Sequence, residues 1–283
     1  MIRTVFWGVR GSVPAPGAQT AGIGGNTSCV EMRCGDTRLI FDAGTGLRLL
    51  GRELGVDTPL TLHLFFSHVH WDHIQGFPFF EPAFAPGHTI HMYGASSSRG
   101  TIESALAGQM EYPNFPVKLD ELPSSLIFHE IGPGDVVDVG GGVIVRTTAG
   151  HHPGGVLVYR VEYDGAVVVY ATDTEPVDGG RLDPRIVEIA RGADVLIYDS
   201  MYTPEEYTGT ADGRPREGWG HSTYEVGAAI AGAAGVGRYV LFHHDPDQSD
   251  EVVREKERRA RALFPRSVAA YEGLIVDAEP ARR

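Results

Sequence analysis

The stretch that most constrains this chain is residues 60–76, LTLHLFFSHVHWDHIQG. An apolar run (Leu60, Leu62, Leu64, Phe65, Phe66) stops abruptly, and His68, His70, Asp72 and His73 follow within six positions. A run of this kind reads as a buried strand. Imidazole and carboxylate groups behind its end are the donors that bind Zn²⁺, Mn²⁺ and Fe²⁺. His68 and His70 lie two apart in extended chain, so both can point to one side and hold one ion. Asp72 and His73, entering the next turn, can hold a second. A lone histidine beside a strand is ordinarily a hydrogen-bonded core residue, but three histidines and an aspartate in this order ask for a metal. Two ions need more donors than four residues supply, so the rest of the chain must add at least one histidine and a bridging carboxylate.

Those donors recur at the ends of apolar strands. His152 lies in GHHPGG at a strand-to-strand turn, where Pro153 favours extended backbone at His152. Asp173 ends the apolar run AVVVYATD and is poorly placed for a core unless positive charge meets it. His243 ends RYVLFHH. His151 and His244 are open as replacements for their neighbours. Asp42, before the glycine turn DAGTG, either orients the histidine loop or caps a helix. His221 opens a small-residue helix, HSTYEVGAAIAGAAGVG, that begins with a His-Ser-Thr cap. His88 and His91 read as structural, and His129 as a surface residue.

The same pass predicts a strand over 2–9 and a hairpin around Cys34-Gly35-Asp36. Helices are expected over 47–55, over 99–111, through RLDPRIVEIARGA and through DEVVREKERRARALF. The basic run of the last is expected to be a solvated face, and SVAAYEGLIVDA an added edge strand. Part of the aromatic, turn-rich segment 74–87 should line the mouth of a pocket. The Pro-rich link near 111–125 should form a loop on the active-site side. Both halves of the chain carry strands followed by a helix, which makes a duplicated architecture plausible.

At 283 residues the chain can bury a large core and is read as one domain, 1–283. Its net charge of −13 argues against a protein that grips a nucleic-acid polymer through phosphates. Cys29 and Cys34 are too few for a disulfide framework and suggest a reducing compartment. No run reaches membrane-spanning length and no signal-peptide pattern opens the chain, so a cytoplasmic protein with no membrane partner is expected.

Five motifs in order, FDAG, SHVHWDH, HHPGG, ATDTE and LFHH, resemble the metallo-β-lactamase superfamily of metallohydrolases over nearly the whole chain. The resemblance implies an α/β fold, an αββα sandwich, with two divalent ions, most readily Zn²⁺ with Mn²⁺ or Fe²⁺ as alternatives, at one edge of the sheets. It implies that His68, His70 and His152 hold one ion, that Asp72, His73 and His243 hold the other, and that Asp173 bridges. Asp42 would support a ligand histidine from behind, and Asp72 would also act in catalysis by orienting the attacking water. SHVHWDHIQGFPFF and GHSTYEVGAAIA are similar to the ribonuclease Z and PhnP-like cyclic-phosphodiesterase branch, which implies that His221 assists the leaving group. No long Gly/Pro-and-basic arm is visible. The expected substrate is therefore a small, often cyclic, phosphodiester rather than pre-tRNA. The alternatives are a glyoxalase II-like thioester or lactone hydrolase, a tRNA 3′-processing-like nuclease, or a metal-binding sensor without turnover. A homodimer is left open.

Overall fold

A computed structural model describes residues 1–96, 100–177 and 180–279. Two mixed seven-stranded sheets lie face to face with helices outside. The first sheet contains β1 (Ile2–Gly8), β2 (Cys29–Cys34), β3 (Thr37–Phe41), β4 (Thr61–Phe65), β5 (Thr89–Gly94) and β6 (Ser125–Glu130). The second contains β7 (Val136–Gly140), β8 (Val143–Ala149), β9 (Leu157–Tyr163), β10 (Ala166–Ala171), β11 (Val195–Asp199), β12 (Arg238–Phe242) and β13 (Ser267–Ala269). The last strand, β14 (Ile275–Ala278), crosses back to pair with β1. The C-terminal segment thus supplies an edge strand to each sheet, where the sequence suggested one.

The two sheets share one plan. From one edge, β14-β1-β2-β3 pair antiparallel and β3-β4-β5-β6 pair parallel. In the second sheet β7-β8-β9-β10 pair antiparallel and β10-β11-β12-β13 parallel. This matches the duplicated architecture suggested by the two halves. The parallel strands β10 (AVVVYA) and β11 (VLIYD) are apolar nearly throughout, as strands covered on both faces must be.

Between the sheets, Phe41 and Phe65 stack at 5.4 Å, and Phe41 also meets Tyr159 and Tyr170 of the opposite sheet at 5.5 Å each. Outside the first sheet lie α1 (Gly46–Leu54), the single turn α2 (Trp71–Ile74) and α3 (Ile102–Gln109). Outside the second lie α4 (Pro184–Ile189), α5 (Pro204–Tyr207), α6 (Tyr224–Ala234) and α7 (Asp250–Leu263).

Several expectations change. The helix predicted over 99–111 begins only at Ile102, where Thr101 accepts from the Ser104 amide; Arg99 lies outside the described residues. Part of the aromatic segment does line a cavity, where the exposed Phe79 and Phe84 meet Arg48, Arg52 and Phe115, while Phe77 and Phe80 are fully buried as apolar cover for the first sheet. His129 is half-buried, stacked on Tyr93 at 4.5 Å and 2.9 Å from the His91 Nδ1. In α7 the basic run is solvated except at Lys256, which is buried and donates to the Ser200 and Met201 carbonyls at 2.7 and 3.1 Å.

Candidate metal centre

The C-terminal ends of β3, β4, β10, β11 and β12 converge on one edge of the two sheets, because parallel neighbours end on the same side. At these ends the backbone turns sharply. Among the described residues, five non-glycine residues have positive φ: Ser12, Asp42, Asp164, Asp173 and His243. Three of them, Asp42, Asp173 and His243, are predicted site residues, and Ser12 donates its amide to Asp72 Oδ2 at 2.7 Å. Left-handed backbone is costly for such side chains and persists where the surroundings impose it.

All the predicted ligands meet there. His68, His70 and His152 bring one nitrogen each within 4.8 Å of one another. Asp72, His73, Asp173 and His243 form a second such group. The Asp173 carboxylate is divided between them. Its Oδ2 lies 3.7 Å from His68 Nε2 and 4.0 Å from His152 Nε2. Its Oδ1 lies 3.3 Å from His73 Nε2 and 3.2 Å from His243 Nε2. The open choices close as well. His151 is exposed and turned to the Pro176 carbonyl, and His244 is buried and turned to that of Ala270, so both face away from the cluster.

Hydrogen bonds behind the ligands set which nitrogen faces inward. Asp42 Oδ2 accepts from His73 Nδ1 at 2.7 Å, from Tyr170 Oη at 2.7 Å and from Ser67 Oγ at 2.8 Å, while its Oδ1 accepts from the Ser67 amide at 2.7 Å. It does not cap a helix. His152 Nδ1 donates to the Gly220 carbonyl at 2.9 Å. With Nδ1 occupied in each case, Nε2 is left to coordinate, the arrangement metal-bound histidines require.

The donor set fits divalent cations on this structure's own terms. His68 Nε2 and His73 Nε2 are buried without a hydrogen-bond partner, and such groups are costly unless something satisfies them. The electrostatics agree. Burial would lower His73, but Asp72, Asp173 and Asp42 hold it well above the ordinary histidine range. Burial would raise Asp173, but His243, His73 and His68 hold it well below the usual carboxylate range. Burial likewise opposes ionisation of Asp72, and His73 and His243 overcome it. A cluster that draws a proton onto a fully buried imidazole is short of positive charge. His68, His70 and His152 are instead lowered, by burial first, and so present free lone pairs.

His221 joins the site, and the His-Ser-Thr segment caps the helix as expected. Thr223 caps α6, accepting from the Val226 amide, and His221 lies two residues earlier. Its Nδ1 is 2.9 Å from Asp199 Oδ2 and 3.9 Å from Asp173 Oδ2. Burial would lower it, but Asp199, then Asp173 and Asp72, raise it to about 9. Asp199 was missed as a site residue. It also accepts from the Asp173, Met201 and Ser222 amides and lies 3.5 Å from His243 Nδ1. The signal was present: a carboxylate ending an apolar strand, as at Asp42 and Asp173. Gly11 gave no signal at all. A Cβ there would stand 2.4 Å from the His243 ring, so only glycine fits.

A family model described as the beta-lactamase superfamily domain matches residues 37–244, most of the chain. The chain belongs to the beta-lactamase superfamily. It is a metal-dependent hydrolase of that family. Ribonuclease Z of Thermoplasma acidophilum is 24% identical to it over 91% of each chain. Among solved structures, the metallo-beta-lactamase fold protein YhfI from Bacillus subtilis superposes with a TM-score of 0.72 at 19% identity, covering 97% of this chain and 98% of its own. A diphosphatase from the PhnP family superposes with a TM-score of 0.71 at 17% identity over 99% of both chains. Among the described residues no helix is long and apolar enough to cross a membrane.

Proposed function

We propose that this hydrolase is a two-metal phosphodiesterase acting on a small, often cyclic, phosphodiester. The observation that carries the reading is the divided carboxylate of Asp173, with one oxygen toward each group of ligands. Zn²⁺ suits the nitrogen-rich group, and Mn²⁺ or Fe²⁺ suit the mixed one equally well. The ligands come from both sheets, so we take the whole chain, 1–283, as one catalytic unit.

A pair of divalent cations held by His68, His70 and His152 and by Asp72, His73 and His243, with Asp173 between, would acidify a water and neutralise a phosphoryl oxygen. The chain's own groups do the rest. Asp72 Oδ2 is fixed by the Ser12 amide at 2.7 Å and orients the attacking water. His221 is held through Nδ1 by Asp199, leaving Nε2 to carry the proton. The Asp199 carboxylate favours the protonated ring, which can then protonate the departing oxygen. A thioester or lactone leaving group has less need of that donor.

A second reading is a nuclease acting on an RNA end. The similarity to ribonuclease Z favours it and stands against the sequence-based expectation of a small diester rather than a nucleic-acid polymer. The deciding experiment loads the purified protein with Zn²⁺ or Mn²⁺ and offers bis(p-nitrophenyl) phosphate, 2′,3′- and 3′,5′-cyclic nucleotides, S-lactoylglutathione and a short RNA. Turnover of the small diesters, abolished by chelator and restored by metal, is expected. Cleavage of the thioester alone, or no phosphodiester turnover with two metals bound per chain, would overturn the proposal.

A further inference from the structure

Trp219 is 58% exposed, although it sits two residues before His221. The backbone beneath it is held firmly. Glu175 is a buried carboxylate whose Oε1 accepts from the Gly218 amide at 2.6 Å and from Tyr207 Oη at 2.7 Å. Its Oε2 accepts from the Gly220 amide at 2.9 Å. The carboxylate therefore grips the peptide on both sides of Trp219, and the Trp219 amide itself donates to the Arg216 carbonyl at 3.2 Å. Glu175 is in turn tied to the ligand loop, its amide donating to the His151 carbonyl at 2.9 Å.

Gly218 and Gly220 both have left-handed backbone, with φ of 84° and 85°. A Cβ at Gly220 would stand 2.2 Å from His152 Nδ1. The Gly-Trp-Gly turn is thus pressed directly against a ligand histidine, with three consecutive amides satisfied and the indole directed to solvent. A large apolar side chain would ordinarily be buried. Here the fold spends a buried carboxylate to keep one outside, beside the group that faces the leaving oxygen. An aromatic face whose backbone is already ordered binds a second ring at little cost in lost freedom.

We propose that Trp219, presented by Glu175, is a stacking platform for a nucleobase or similar ring on the leaving-group side. This rests on the phosphodiesterase reading above. Stacking tolerates any base, because every base has a π-face, so the platform selects for a ring without naming it.

The test has two arms. In the first, adenosine monophosphate is titrated into the protein, with and without Zn²⁺, and tryptophan fluorescence is read. Quenching is expected in the parent protein and is expected to vanish in W219F, where Trp7 and Trp71 remain as the emitters. Quenching that persists in W219F overturns the assignment. E175Q can accept at only one oxygen; it is expected to weaken nucleotide binding with Trp219 intact, and unchanged affinity would remove Glu175 from the account. In the second arm, kcat/KM for a cyclic nucleotide is divided by that for a dialkyl phosphodiester lacking a ring. W219A should lower this ratio roughly ten-fold, chiefly through KM, and an unchanged ratio overturns the proposal. Failure of every phosphodiester to turn over would instead sink the proposed function, while the titration would still decide the fate of Trp219.

Discussion

His221 is where one residue's protonation bears most directly on the chemistry. Asp199 holds its Nδ1 at 2.9 Å and, with Asp173 and Asp72, raises it to about 9 against the effect of burial. His221→Ala should therefore keep the fold and the metals but slow phosphodiester cleavage by about 10²-fold. The loss should shrink when the leaving group is as acidic as p-nitrophenolate, which needs no proton. Metal content by atomic absorption beside kcat checks this, and metal loss equal to that of His68→Ala would contradict the assigned role. Little of this arrangement was legible in the chain. His221 stood out because a histidine opened a helix, but its partner lies 22 positions away at the end of β11. Tyr170, which reaches across the core to Asp42, carried no mark at all, because a tyrosine in an apolar strand looks like packing.

Elements were easier to read than contacts. The strands declared themselves by apolar runs bounded by glycine turns, and the cap at Ser249 ahead of α7 followed ordinary rules. The miss at His129 came from pairing. β4, β5 and β6 lie side by side, which sets His63 opposite His91, stacked at 4.9 Å, and His129 opposite Tyr93, with its Nε2 reaching diagonally to 2.9 Å from His91 Nδ1. No sequence-local pattern reveals a row built across three strands. The row has a consequence for acid stability. Burial first, then His91 and His129, lower His63 from 6.5 to about 4. Its folded pKa lies below its unfolded one. Between pH 6.5 and about 4 the unfolded chain therefore binds more protons, and stability falls on acidification. His63→Phe should flatten that fall, on the order of 1–3 kcal/mol of pH-dependent stability. Denaturant midpoints at pH 7 and pH 4.5 for the two proteins measure it, and parallel pH profiles would refute it.

The molecule as a whole carries a net charge of −13, which bears on its substrate. A polymer gripped through six to ten phosphates loses about 10³–10⁵ in affinity between 50 and 200 mM salt. A small diester meeting the site with one phosphate should lose no more than about four-fold in kcat/KM over the same range. Measuring both substrates across that range separates the two readings, and a steep loss for RNA cleavage would favour the nuclease.

Donor types and their order along the chain are written in the covalent sequence, and so is the alternation of apolar runs and turns. They were enough to indicate the metal chemistry, the family and the layered fold, because ligand chemistry depends on residue type and strands depend on local pattern. Which histidine of each adjacent pair faces inward, how Asp173 divides its oxygens, and how Glu175 and Asp199 hold the surrounding loops depend on the two sheets being brought together. Those choices rest on distances between segments up to 171 residues apart, and only the packing of one sheet on the other sets them.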